Sequence, residues 1–178
     1  MTTFAERLST IYSRTPDQIA ITLQFSGRDD LQLTYEQLLR GSERYARTLE
    51  REGIQPGEVV VLILQHGEDL VYSFWGTILR GSIPSIMPFL TEKLSPERYK
   101  ADLSALISIT KPTVIVTYPE FEGEVRAALQ EGDSVRLVIV TDRIKPPSEV
   151  DFASLQGMRG KSEDTVLLQH SSGTTGLQ

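Results

Sequence analysis

The spacing of apolar residues changes period several times along the chain, and each change marks an element. Phe4, Leu8, Ile11 and Tyr12 fall on one helical face, and Pro16 ends the run. Ile19, Ile21, Leu23 and Phe25 then alternate with Ala20, Thr22 and Gln24, the period of a half-buried strand. Ser26, Gly27, Arg28, Asp29 and Asp30 make a turn, and Leu31, Leu33 and Tyr35 resume the alternation, which predicts a β-hairpin. Thr34 can cap the next helix with Gln37 as its capping-box partner. Leu38, Ser42, Tyr45 and Leu49 form the inward stripe of that helix, and Gly53 closes it in the left-handed conformation.

Residues 59–64 are apolar at every position, the pattern of a strand buried on both faces of a parallel sheet. A helix over 69–80 follows, with Leu70, Val71, Phe74, Trp75, Ile78 and Leu79 inward and Gly81 at its end. Residues 83–87 read as a short strand interrupted by Pro84, with Pro88 beyond it. Ser95 caps a helix that carries Pro96 in its first turn and Tyr99, Leu103, Leu106 and Ile107 inward, until Lys111 and Pro112 stop it. A strand at 114–116, a helix at 122–130 and a strand at 137–140 complete the repeat. The stretch 143–162, broken by Pro146 and Pro147, reads as a linker or as a loop within one domain, with one short helix near 152–155. Residues 166–168 form a last strand leading to Ser171. The alternation predicts an α/β fold: a mostly parallel, helix-covered, doubly wound sheet with an N-terminal β-hairpin.

Composition narrows the chemistry. The chain has 178 residues, 39% apolar and 24% charged, as an ordinary globular protein does. Its formal charge of −6 argues against a nucleic-acid surface. It contains no cysteine, which excludes a disulfide framework, a thiolate zinc site and a cysteine nucleophile. His66 and His170 are the two histidines, too few for a His-rich metal site. The N-terminus is amphipathic and lacks a signal peptide's apolar stretch, and no run is long enough to span a bilayer. The expectation is a cytoplasmic chain without a transmembrane segment.

One loop remains compatible with an anion despite the negative net charge. His170 is followed by Ser171, Ser172, Gly173, Thr174, Thr175 and Gly176. The two glycines allow close backbone approach, four hydroxyls add donors, and consecutive N–H groups can form a concave nest for phosphate oxygens. By composition alone the same residues also suit a solvated surface loop. The loop lacks the Gly-Lys-Ser/Thr ending of the common P-loop. It also follows a late strand, whereas the dinucleotide fingerprint follows the first.

At residues 171–176 the sequence resembles the adenylate-forming (AMP-binding) superfamily of acyl-CoA synthetases, fatty acyl-AMP ligases, luciferases and peptide-synthetase adenylation domains. Their Thr/Ser-Ser-Gly-Thr/Ser-Thr-Gly loop is matched at every position. Leu177 and Gln178 stand in the spacer before the family's lysine. Three weaker elements agree in order: Leu33 to Leu38, Pro56 to Leu62 with Trp75 to Gly81, and Lys111 to Ile115. The resemblance covers residues 1–178 as an N-terminal subdomain of the adenylate-forming fold. It implies a parent enzyme that joins a carboxylate to ATP with Mg²⁺, giving acyl-AMP and pyrophosphate, and then passes the acyl group to CoA or an acyl-carrier protein. A fatty or aryl acid is the expected substrate. Ser171, Ser172, Gly173, Thr174, Thr175 and Gly176 would bind the ATP phosphates. No catalytic or metal-binding residue is expected in this stretch, which alone is expected to be inactive.

The alternatives are a stand-alone flavodoxin-like nucleotide or flavin binder and a non-catalytic scaffold remnant. His66 reads as a capping or packing residue, His170 as a local hydrogen-bonding residue, and Tyr72 and Trp75 as packing residues. The acidic pairs Asp29-Asp30 and Glu163-Asp164 read as a solvated turn and a loop.

Overall fold

The computed structural model describes residues 2–89, 95–145 and 151–169. The chain opens with α1 (Phe4–Arg14), whose N-cap Thr3 and Glu6 form a reciprocal capping box. β1 (Ile19–Leu23) and β2 (Leu31–Thr34) pair antiparallel as the hairpin, with a register shift between Ile19 and Ile21. Thr34 ends β2 and caps α2 (Tyr35–Arg51), accepting from the Gln37 amide while the Gln37 side chain accepts from the Thr34 amide. Gly53 follows the helix at φ 74°, the left-handed conformation expected of it.

Then come β3 (Val59–Ile63), α3 (Glu68–Arg80), β4 (Ile83–Ile86), α4 (Pro96–Thr110), β5 (Val114–Thr117), α5 (Glu122–Ala128) and β6 (Leu137–Val140). The four later strands form one parallel sheet in the order β4-β3-β5-β6. Side-chain alternation divides that sheet between two cores. Val60, Leu62, Val114, Val116 and Ile139 join α1, the hairpin, α2 and α3. Val61, Ile63, Ile115 and Val138 point the other way, into α4 and α5. Strands covered on both sides need no polar face, which accounts for the uninterrupted apolar run at 59–64. The doubly wound sheet with a separate N-terminal hairpin is therefore as expected.

Three local expectations change. The tightly buried face of α3 is Tyr72, Ser73, Gly76, Thr77, Ile78 and Leu79, while Leu70, Val71, Phe74 and Trp75 are only half-buried. Here α2 and α3 pack at very short range. A methyl group on Gly76 would overlap the Ser42 carbonyl and Tyr45, and one on Gly41 would overlap the Tyr72 ring. Small residues make such approach possible, so the deepest face is not the most apolar one. Phe4, assigned to the inward face of α1, is exposed and stands edge-on to Trp75. The last strand is reduced to a single parallel bridge, Ser85 to Leu168.

The segment 151–159 is docked. A 3-10 turn at Phe152–Ser154 falls where one short helix was expected, and a second follows at Gln156–Arg159. Phe152 meets Tyr12 edge-on, Leu155 is buried, and Gly157 lies against the end of α3.

Candidate functional site

In open parallel sheets, ligands sit beyond the carboxyl ends of the strands. Four strand ends meet there in this fold, after Ile63, Ile86, Thr117 and Val140. The groups nearest the β3–β5 switch point are already engaged. Thr117, fully buried, donates its hydroxyl to the Ile63 carbonyl at 3.1 Å. His66 Nε2 donates to the Gln24 carbonyl at 3.1 Å, and its ring tilts over Phe25 at 5.2 Å. His66 thus ties β3 to the hairpin; α3 begins after Gly67 with no side-chain cap. Tyr118 stacks on Phe121 at 5.6 Å, and Phe121 meets Tyr99 edge-on. The Tyr99 hydroxyl is buried without a hydrogen-bond partner among the described residues. Burial, reinforced by Tyr118, pushes that phenol well above its ordinary value.

The arm that leads towards the Ser/Thr/Gly loop lies on the other side of the sheet. The Leu168 amide donates to the Pro84 carbonyl at 2.9 Å, so this arm runs parallel to β4 along its outer edge. A flavodoxin-like order would add the last strand beyond β6 instead. The sequence reading of a late strand feeding the loop therefore has its structural counterpart in one ladder bond outside β4. Residues 171–176, and His170 before them, lie outside the described residues. Trp75 packs between Phe4 and Phe74, and Tyr72 lies over Arg44 inside the α2–α3 contact, so both are packing residues. Asp29-Asp30 closes the hairpin turn, where Asp30 accepts from the Phe25 amide. Glu163-Asp164 lies in a turn closed by Asp164 on the Lys161 amide.

A cavity of about 350 Å³ opens between Thr3–Ala5 at the start of α1, Ile78 to Ser82 at the end of α3, and Gly157 to Val166. It borders the residue that precedes β4, at the amino ends of the strands, away from the arm's exit. No group of three or more His, Asp or Glu side chains among the described residues is placed to hold a metal ion. No helix among them is long and apolar enough to cross a membrane.

Sequence reasoning passed over the polar clamp that holds the docked segment. Glu43 lies on α2 between Ser42 and Arg44, reads as a surface residue, and is completely buried. Its Oε1 accepts from the Asp151 amide at 3.1 Å and pairs with Arg47 at 3.4 Å. Arg47 in turn donates to the Asp151 carbonyl at 2.7 Å and to Ser154 Oγ at 2.6 Å. Only the i,i+4 spacing of Glu43 and Arg47 was visible beforehand, and that spacing ordinarily marks a solvated helix face.

The sheet is parallel and covered on both sides, and the arm along its outer edge precedes in sequence the hydroxyl- and glycine-rich residues 171–176. The chain belongs to the AMP-binding enzyme family, whose model matches residues 8–178. It is 31% identical over 157 residues to 4-coumarate-CoA ligase 1 of Narcissus pseudonarcissus, covering 82% of this chain and 26% of that protein. Among solved structures it is similar in fold to a fatty acyl-adenylate ligase from L. pneumophila in complex with acyl adenylate and pyrophosphate. That likeness has a TM-score of 0.70 and 23% identity, over 96% of this chain and 28% of that one. It is likewise similar to McyG A-PCP complexed with phenylalanyl-adenylate, with a TM-score of 0.78 and 22% identity, over 98% and 27%. The chain spans about a quarter of the length of the curated relatives it matches.

Proposed function

We propose that this chain is the N-terminal part of an ATP-dependent carboxylate-activating ligase, and that residues 171–176 hold the departing phosphates. The observation that carries the reading is the family match through residue 178, which takes in the whole loop. A carboxylate attacks the α-phosphorus of ATP, acyl-AMP forms and pyrophosphate leaves. Negative charge gathers on that leaving group, and preorganised N–H and hydroxyl donors stabilise it. Thr174 and Thr175 contact the β- and γ-phosphates through hydroxyl and backbone. Ser171, Ser172, Gly173 and Gly176 shape the cradle. Mg²⁺ accompanies the nucleotide and supplies charge neutralisation when bound; the described residues offer it no carboxylate cluster. The acyl group then passes to a thiol, on CoA or on an acyl-carrier protein. A fatty or aryl acid fits the range of acids in the relatives' names. The whole protein works in the cytoplasm.

The test is ATP–pyrophosphate exchange by the whole protein that carries this chain, with a panel of fatty and aryl acids. Thr174→Val and Thr175→Val each lower kcat/KM for ATP by about tenfold or more, a loss of roughly 1.4 kcal/mol of transition-state stabilisation. Exchange indifferent to both substitutions sinks the phosphate reading. Residues 1–178 alone are expected to turn over no acid, and measurable pyrophosphate release by them would overturn that expectation.

A further inference from the structure

We infer that the cavity between α1, the end of α3 and residues 157–166 binds a small carboxylic acid with an apolar body, aromatic or short-chain aliphatic. All of its lining residues lie outside 171–176, so this binding is independent of what that loop does.

The walls are built from backbone contacts. Gly157 seats against the Ile78 carbonyl and Leu79 with no room for a side chain. The Ser82 amide donates to the Thr77 carbonyl at 3.0 Å, and the Gly57 amide donates to the Gly81 carbonyl at 2.8 Å. Thr3 is held by the capping box of α1. The Lys161 amide donates to the Asp164 carboxylate at 2.7 Å and closes a turn. A preformed wall spares a ligand the cost of ordering its own site.

The deep part of the cavity is apolar. Ala5 and Ile78 are 2% and 4% exposed, and Gly157 is buried beside them. Ile78 belongs to neither of the two cores despite that depth; it lines the cavity instead. The exposed part carries the charge. Two cations, Arg7 and Lys161, against one carboxylate, Asp164, leave one net positive charge, in a chain whose formal charge is −6. Neither cation is in an ion pair among the described residues. The carboxylates of the same turns are engaged locally. Glu6 accepts from the Thr3 amide at 2.9 Å, Asp164 from the Lys161 amide, and Glu163 from the Ser162 hydroxyl at 3.2 Å.

An apolar depth below two unpaired cations complements a molecule with a body that leaves water and one carboxylate that stays at the rim. Size narrows the class further. The volume of about 350 Å³ is near the low end for small-ligand sites, roughly 300–1,000 Å³. At about 30 Å³ for each water-sized unit it holds roughly a dozen non-hydrogen atoms. A phenylpropenoic or an octanoic acid fits that space, and a nucleoside triphosphate does not.

Cinnamate and its neutral amide test the inference on the whole protein that carries this chain, by amide hydrogen exchange over residues 2–8 and 157–166. A ligand that binds only the closed cavity slows exchange there by a factor of 1 + [L]/Kd, about tenfold at ten times Kd. Cinnamate should give that protection, and cinnamamide at the same concentration less than about a third of it. Arg7→Gln and Lys161→Gln, both at exposed positions, should each weaken cinnamate binding by about twofold to fivefold. Thr165→Trp puts bulk into the exposed part of the cavity and should abolish the protection. Exchange at Val61 and Leu62 in β3 should stay within about twofold of the unsubstituted protein in all three variants, which reports an intact fold. Absence of protection at about 10 mM cinnamate overturns the inference. So does equal protection by the amide, or protection undiminished when Arg7→Gln and Lys161→Gln are combined.

Discussion

A methyl group on Gly157 would overlap the carbonyl oxygen of Ile78, so the docked segment meets the end of α3 at backbone distance. Overpacking at such a contact forces backbone shifts. Gly157→Ala should therefore destabilise the fold by about 1–3 kcal/mol in urea unfolding. Gly123→Ala provides the contrast. That glycine lies within α5 with open space around it, and alanine should raise stability by roughly 0.5–1 kcal/mol through helix propensity. Equal effects at the two sites would contradict the packing argument.

On α4, two aliphatic residues about one and two-thirds turns apart have opposite surroundings. Leu103 is fully buried in the core shared with α5, and Ile109 is 66% exposed. Leu103→Ala should cost about 2–5 kcal/mol by leaving a cavity. Ile109→Ala should change stability by less than about 0.5 kcal/mol. Chemical denaturation of both variants checks the assignment of the helix face.

The Tyr45 hydroxyl donates to Asp69 at 2.6 Å, joining α2 to the first turn of α3. Burial, and then the Asp69 carboxylate, push this phenol far above its ordinary value near 10. The sign follows directly. The folded state holds the proton more tightly than the unfolded chain, so the contribution is complete below pH 10 and is lost as pH climbs above it. Stability measured between pH 7 and 11 should fall on the alkaline side. Tyr45→Phe should cost about 1–2 kcal/mol at neutral pH and flatten part of that alkaline decline.

Thr117 offers a separate check on where nucleotide binds. Its buried hydroxyl is spent on the Ile63 carbonyl at the switch point of the sheet. Thr117→Val should lower stability by about 1–2 kcal/mol by leaving that carbonyl unpaired. The affinity of the whole protein for MgATP should stay unchanged. A selective loss of nucleotide affinity would move the site to the β3–β5 crevice and revive the flavodoxin-like alternative.

Much of this architecture is legible in the pattern of residues. The run at 59–64, the stripes of α2 and α4, and the Thr34–Gln37 cap each follow from one local rule, and local rules survive folding well. The α3 face did not, because periodicity weighs apolar bulk and this interface is built on Gly41, Ser42 and Gly76. Large side chains are pushed to its flanks by the closeness of the backbones. The candidate loop is legible from its own residues, whereas the polar clamp on Asp151 is not. Glu43 and Arg47 meet Asp151 across more than half the chain, and no short-range pattern records such a meeting. The one polar signal they carry is indistinguishable from an ordinary surface ion pair.

The distance in sequence between those partners also orders events during synthesis. A ribosome adding about 5–20 residues per second needs roughly 5–20 s to pass from Glu43 to Asp151. Once α3 has been added, α2 has β3 and α3 to pack on, but its Glu43 carboxylate still lacks the Asp151 amide that donates to it in the folded chain. This long-range contact can close only after Asp151 has been added, when most of the chain has been made.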